Sequence, residues 1–233
     1  MTDIFEQHQT STQIKLNNFE LYAKRQALTR FIVRYELFKQ IIPIKGSIIE
    51  CGVHHGGGLM AWAKLSAGLE PMAINRKIYG FDTFDGFIDV HDKDKGGVDN
   101  ENLQKGGFSA GTSSYDYIVQ SINDYDENRF LNQFKKVELV KGDAVKTIPQ
   151  FISSNQHLII SLLFLDFDLY DPTKVALEYF LSRIPKGGIV AFDEINNSSW
   201  PGETIALLEK FGGLNNLHIQ KFYFDPNIAY IVL

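Results

Sequence analysis

The stretch Ile48-Ile-Glu-Cys-Gly-Val-His-His-Gly-Gly-Gly58 constrains this chain more than any other. Apolar and small residues run into a glycine-rich turn, and Leu59-Met-Ala-Trp-Ala-Lys-Leu65 then opens a helix. Strand, tight loop and helix N-terminus make the first unit of a doubly wound α/β domain. Glycine lets the backbone approach a ligand closely, and the helix start offers N–H groups without intrahelical partners. Glu50 at the strand end repels phosphate and attracts hydroxyl, ammonium or sulfonium groups. The Gly-x-Gly-x-x-Gly spacing of a dinucleotide loop is missing. The stretch predicts a nucleoside-type cofactor with no phosphate at the turn.

Further strands follow, most of them closed by an acid. Lys77 to Asp82, Lys136 to Asp143, the apolar run Leu158 to Asp166, and Ile189 to Asp193 read as parallel strands. Helices are expected over Tyr115–Asp124, Ala144–Ser153, Thr173–Ile184 and Pro201–Phe211, and residues 218–224 and 228–233 alternate as a β-hairpin around Asp225-Pro-Asn227. The fold class is α/β, a mostly parallel Rossmann-like sheet with an antiparallel C-terminal hairpin. Residues 83–114 form a long insertion containing Gly86, Gly96, Gly97, Gly106, Gly107 and Gly111, the length of a functional lid. Within it, Gly106-Gly-Phe108-Ser suggests a hinge with an apolar latch.

Residues 1–45 precede the first strand as a helical extension, and residues 46–233 carry the main domain. The first sixteen residues are polar and expected to be loose. From Asn17 to Ile42, Leu28, Phe31, Ile32, Tyr35, Phe38 and Ile42 fall on one stripe at helical spacing. Arg25, Arg30, Arg34 and Lys39 then make the opposite, solvated face. The alternative is a helix that serves a dimer or the substrate side.

With 233 residues, 44% of them hydrophobic, the chain has enough material for one full core. A net charge of −5 gives no footprint for nucleic-acid binding. The single cysteine, Cys51, excludes an internal disulfide framework and suits a reducing cytoplasm. The N-terminal residues lack signal-peptide features, and no apolar run is long enough to span a bilayer.

Ligands of open parallel sheets bind outside the C-terminal ends of the strands. Here Glu50, Asp82, Asp143, Asp166 and Asp193 all end there. One such acid is ordinarily a helix cap. Five on one edge repel each other and call for cations or hydroxyl donors. Glu50, Asp82 and Asp143 lie where a nucleoside would, the second suited to ribose hydroxyls and the third to an adenine amino group. Asp166, Asp193 and Glu194, with Asp168 beside them, are hard oxygen ligands without histidine, which favours Mg2+ or another hard divalent cation. His54 and His55 are better read as loop packing or a cofactor contact than as a metal pair.

Glu50-Cys-Gly-Val-His-His-Gly-Gly-Gly58, Tyr79-Gly-Phe-Asp-Thr-Phe-Asp-Gly-Phe87, Val140-Lys-Gly-Asp-Ala144, Phe164-Leu-Asp-Phe-Asp-Leu-Tyr170 and Gly187-Gly-Ile-Val-Ala-Phe-Asp-Glu194 together resemble the macrocin O-methyltransferase (TylF-type) family. The resemblance implies a class I methyltransferase sheet of seven strands, S-adenosylmethionine as cofactor, Mg2+ at strand-end acids, a sugar or glycoside hydroxyl as acceptor, and often an oligomer. It places Asp166, Asp193 and Glu194 as metal ligands. Cofactor contacts are expected from Glu50, Gly52, Val53, His54, Gly56 and Gly57 after the first strand, Asp82 and Thr83 after the second, and Gly142, Asp143 and Ala144 after the third, with Asp166 opposite. This chain has Asp193-Glu194 where many relatives have two aspartates, and Phe167 where they have glycine.

The expected chemistry is direct methyl transfer to oxygen, with Asp168 as first candidate for the general base and His91 as second. The rivals are a non-catalytic nucleoside-binding or scaffold module in sugar assembly, and a nicotinamide oxidoreductase, which the missing Gly-x-Gly-x-x-Gly disfavours.

Overall fold

Strand β1 (Ser47–Cys51) is buried at every residue because helices cover both faces of the sheet it centres. The structure is a computed structural model that describes residues 4–96, 100–111 and 113–233; Gly97 lies outside them. β1 pairs in parallel with β2 (Ile78–Asp82) and β4 (Ile160–Leu165), β3 (Val137–Lys141) extends one side, and β5 (Ile189–Phe192) the other. β7 (Ala229–Val232) runs antiparallel to β5, and β6 (Gln220–Lys221) antiparallel to β7. The seven-stranded order is β3-β2-β1-β4-β5-β7-β6, and the sequence order of the strands switches between the parallel neighbours β1 and β4. This is the expected mostly parallel sheet with a terminal hairpin, whose paired segments are shorter than the alternation suggests.

The ladder continues one residue past the strands. Gly52 donates to the Phe81 carbonyl (2.9 Å), Asp166 to Cys51 (2.8 Å), Asp193 to Leu165 (3.0 Å) and Gly142 to Asp82 (2.9 Å). These bonds set the strand-end acids side by side on one edge. On one face of the sheet, α3 (Arg25–Ile41), α4 (Gly57–Leu69) and α5 (Ser114–Glu127) cover a core with Leu37, Phe38, Trp62 and Phe164. On the other, α6 (Ala144–Ser154), α7 (Tyr170–Phe180) and α8 (Gly202–Phe211) cover Phe81, Phe180 and Phe192. Phe180 is fully buried, and its truncation to alanine would cost about 3–5 kcal/mol. Asp143 begins α6 by accepting the Val145 N–H (3.0 Å), and Gly212 at φ +64° ends α8.

The N-terminal region departs from expectation twice. Residues before Asn17 are not all loose: α1 (Ile4–Gln7) and α2 (Thr12–Asn17) form short helices, and Phe19–Leu21 a 3-10 turn, so the long helix begins only at Arg25. More consequentially, α3 is rotated about its axis relative to the apolar stripe. Its buried residues are Val33, Arg34, Leu37, Phe38 and Ile41, whereas Phe31, Ile32 and Ile42 are exposed. Both stripes have helical spacing. The one that wins carries Arg30 and Arg34 inward because buried acids await them, so the solvated-face reading of those two arginines is corrected.

The insertion is packed against the domain. Its buried Asp94 accepts the Tyr170 N–H at the start of α7 (2.6 Å) and the His91 N–H (2.9 Å). Gly96 lies so close to the Ser198 carbonyl that a Cβ would collide with it. Among the described residues no helix is long and apolar enough to cross a membrane.

Candidate active site

A cavity of about 630 Å³ opens at the C-terminal edge of the parallel strands. Loops after β1, β2 and β3 supply Gly52, His54, Asp82, Thr83, Gly142, Asp143 and Ala144 to one side. The ends of β4 and β5 supply Asp166, Asp168, Asp193 and Glu194 to the other. The insertion contributes Phe87, Ile88 and Phe108, and α3 contributes Arg30. Every strand-end acid expected at the ligand except Glu50 therefore reaches this one space.

On the first side Asp82 shapes the glycine loop. Its Oδ2 accepts the N–H groups of Val53 and His54 (2.7 Å each), and its Oδ1 that of Phe84 (2.6 Å). Gly52 at φ +90° rests on the Asp166 carbonyl, where any Cβ would clash. His54 reaches the cavity at φ +50°; its ring packs on His55 with centroids 4.1 Å apart, and burial next to His55 lowers its pKa. The two rings meet edge to face. Val53, Gly56 and Gly57 shape the turn without lining the cavity.

Glu50 lies beneath the loop, 1% exposed, with its Oε1 3.4 Å from Nη2 of Arg34. Burial pushes its carboxyl up to about 7, and the Arg34 guanidinium beside it only partly offsets that. Gly58 passes directly over this pair, since a side chain there would strike both Glu50 and Arg34. Arg34 also sits over the Phe164 ring at 5.0 Å and the Trp62 ring at 5.7 Å. Glu50 thus holds the N-terminal helix to the sheet instead of facing the cavity.

The second side is a cluster of carboxylates that a single guanidinium only partly compensates. Asp166 is pushed well above the usual carboxylate range by burial and by Asp193 next to it; Asp168 is pushed up by burial and by Glu194. Glu194 rises to about 7 through burial and Asp193, while the Asn197 side-chain amide donates to it. Arg30 donates to Asp193 Oδ2 from Nη2 and, at 3.2 Å, from Nη1. Burial opposes the charge on Arg30, but Asp193 and Asp166 outweigh that and raise its pKa. Asp193 Oδ1 stays buried with no hydrogen-bond partner. Asp168 sits at φ +63°, in the left-handed region that aspartate tolerates better than most residues.

This donor set fits a hard divalent cation. All ligands are oxygen, negative charge exceeds the one guanidinium that meets it, and a buried carboxylate oxygen is free. Among the described residues, no group of three or more His, Cys, Asp or Glu side chains is placed to hold a metal ion in this arrangement.

His91 caps the turn Asp92–Asp94, its Nδ1 accepting the Lys93 N–H (3.0 Å), and its ring lies 4.9 Å from Tyr170. It does not line the cavity. Sequence reasoning missed Arg30 and Glu203. Glu203, on the first turn of α8, is fully buried behind the cluster and accepts the Glu194 N–H (3.0 Å); burial and the nearby Asp168 push its carboxyl well up. The spacing 30, 33, 34, 37, 38, 41 was a signal for the inward face of α3. Nothing in the sequence distinguishes Glu203 from an ordinary acid in a helix's first turn.

The family model described as macrocin O-methyltransferase (TylF) matches residues 33–219. The crystal structure of CalS11, a calicheamicin methyltransferase, superimposes with a TM-score of 0.92 at 33% identity over 98% of this chain and 88% of that one. The apo structure of CalS11, there described as a TDP-rhamnose 3'-O-methyltransferase of calicheamicin biosynthesis, gives 0.83 at 31% identity over 99% and 90%. The O-methyltransferase NovP, at 17% identity and a TM-score of 0.64 over 87% and 78%, shares the fold. No curated protein matches the sequence.

Proposed function

The chain belongs to the macrocin O-methyltransferase (TylF) family, and from that premise we propose that it methylates a hydroxyl of a sugar or glycosylated small molecule with the aid of Mg2+. The observation that carries the cation is the cluster at the ends of β4 and β5, where Asp193 Oδ1 is buried and free. The sugar acceptor is supported by the CalS11 relatives.

S-adenosylmethionine fits the side of Gly52, Asp82 and Gly142–Ala144, where glycines admit its methionine end and Asp82 can accept from ribose hydroxyls. Asp166 and Asp193, with Glu194 beside them, would hold Mg2+, which supplies Lewis-acid polarisation of the acceptor hydroxyl. Asp168, which lines the same cavity, would take the proton of that hydroxyl as general base. S-adenosylmethionine held there would supply the methyl group, its carbon–sulfur bond breaking as the bond to the acceptor oxygen forms and S-adenosylhomocysteine being the leaving group. The insertion, which lines the cavity with Phe87, Ile88 and Phe108, would limit water around the reacting groups.

Calorimetry with S-adenosylmethionine, with and without Mg2+, tests the proposal. The full chain should bind the cofactor, and acceptor turnover should need both Mg2+ and Asp193. Absence of cofactor binding sinks the methyltransferase reading. Turnover that survives both chelation and Asp193→Ala sinks the metal.

A further inference from the structure

Two aromatic rings, Phe87 and Phe108, line the cavity, and a third, Trp200, packs behind them. Phe87 and Phe108 have centroids 5.7 Å apart, and Trp200, from the loop after β5, lies 5.9 Å from the first and 5.4 Å from the second. Backbone bonds hold the two phenylalanines together: Phe87 donates to the Gly107 carbonyl (3.0 Å), and Gly106 to the Phe87 carbonyl (2.8 Å). Gly86 permits that approach, since a Cβ there would meet both glycine carbonyls. Asp94 and Gly96 fix the same insertion to α7 and to the loop before Trp200. The wall is preformed.

Its exposure is uneven. Trp200 is buried at 8% and backs the wall, whereas Phe108 is 42% exposed on the cavity at φ +51°. A bulky ring left partly in solvent in a left-handed conformation costs energy on both counts, which its ring contacts with Phe87, Trp200 and His54 offset only in part. A ligand with an apolar face would offset the rest.

We infer that Phe87 and Phe108, backed by Trp200, form the acceptor subsite and stack against the C–H face of a pyranose ring. The inference rests on the O-methyltransferase reading and deepens it. A pyranose is amphipathic in the required sense, with C–H bonds on a face and hydroxyls at the rim. With that face on Phe108, the rim hydroxyls would be offered to Asp166, Asp168 and Asp193, which line the same cavity. Pockets of this kind combine an apolar wall for affinity with a few polar groups that fix orientation. An adenine ring also stacks on phenylalanine, and Phe108 lies 6.4 Å from the His54 ring, but the nucleoside side is marked by Asp82 and Gly142–Ala144. Trp200 instead follows β5, on the carboxylate side.

Trp200 provides the readout, because Trp62 is fully buried in the core. The full-length chain, saturated with S-adenosylhomocysteine and Mg2+, is titrated with a panel of methyl hexopyranosides and methyl 6-deoxyhexopyranosides while tryptophan emission is followed. At least one glycoside should change the emission saturably, and Trp200→Phe should abolish the change. Phe108→Ala should weaken that glycoside tenfold or more and leave the S-adenosylhomocysteine Kd within twofold; Phe108→Tyr should restore it. A tenfold loss of S-adenosylhomocysteine affinity in Phe108→Ala with unchanged glycoside binding would assign the wall to the cofactor and overturn the inference. So would a panel with no saturable member. Failure of the wild-type chain to bind S-adenosylhomocysteine at all would instead overturn the methyltransferase reading beneath it.

Discussion

Arg30 donates from both terminal nitrogens to a single oxygen of Asp193, Oδ2, and leaves Oδ1 buried without a partner. One helical turn later on the same face, Arg34 pairs with Glu50. Helix α3 therefore grips the sheet at two points, beneath the glycine loop and at the carboxylate cluster. Arg30→Gln removes the guanidinium that orients Asp193 and offsets its neighbours. The expected outcome in steady-state kinetics is a fall in kcat/KM of about ten- to a hundredfold, with S-adenosylhomocysteine affinity nearly unchanged.

The Glu50–Arg34 pair makes stability depend on pH. Burial raises the Glu50 carboxyl from 4.5 to about 7, so between those values the folded chain keeps a proton that the unfolded chain has lost. Its contribution is complete below about pH 4.5 and is lost as the pH rises to about 7, a change on the order of 3 kcal/mol. Thermal melts across this window should show the wild type losing stability with rising pH relative to Glu50→Gln. Parallel profiles for the two proteins would refute the assignment.

Asp82 should matter to the cofactor before it matters to the chemistry. Its carboxylate collects the N–H groups of Val53, His54 and Phe84, so its loss frees the loop as well as any ribose contact. Hydrogen bonds to a charged group contribute about 1.5–3 kcal/mol each. Asp82→Ala should therefore weaken S-adenosylmethionine at least tenfold by calorimetry. Asp82→Asn, which keeps the shape and one acceptor oxygen, should fall between the two.

Gly52 admits no side chain. Its φ of +90° and its seat on the Asp166 carbonyl mean that Gly52→Ala must displace either β1 or β4 at the site. Urea denaturation should show a loss of about 3 kcal/mol or more. Gly57→Ala, which meets nothing within 4 Å, should be nearly silent in the same assay.

The parallel sheet and its acid edge were legible because each strand is a short apolar run that stops at a carboxylate or a glycine. That pattern fixed which residues meet at Asp82, Asp143, Asp166 and Asp193 without any knowledge of the helices. The orientation of α3 was not legible. Two stripes compete on it, and choosing between them requires knowing that Glu50 and Asp193 lie buried on the inner side. Arginine, a surface residue by default, is drawn inward there by acids distant in sequence. The same gap hid Glu203, whose role depends on the Glu194 N–H. It also placed His91 in the active site, where its ring nitrogen instead caps the turn that docks the insertion.

The most direct measurement of the account is methyl transfer by the full chain from isotopically labelled S-adenosylmethionine to a glycoside hydroxyl, run beside Asp168→Asn and Asp193→Ala and with a chelator present. The account predicts labelled O-methyl glycoside from the wild type with Mg2+, and at least a hundredfold less from each variant and after chelation. Transfer at the wild-type rate by Asp168→Asn and Asp193→Ala would contradict it, because the reaction would then owe nothing to the carboxylates that the sheet gathers.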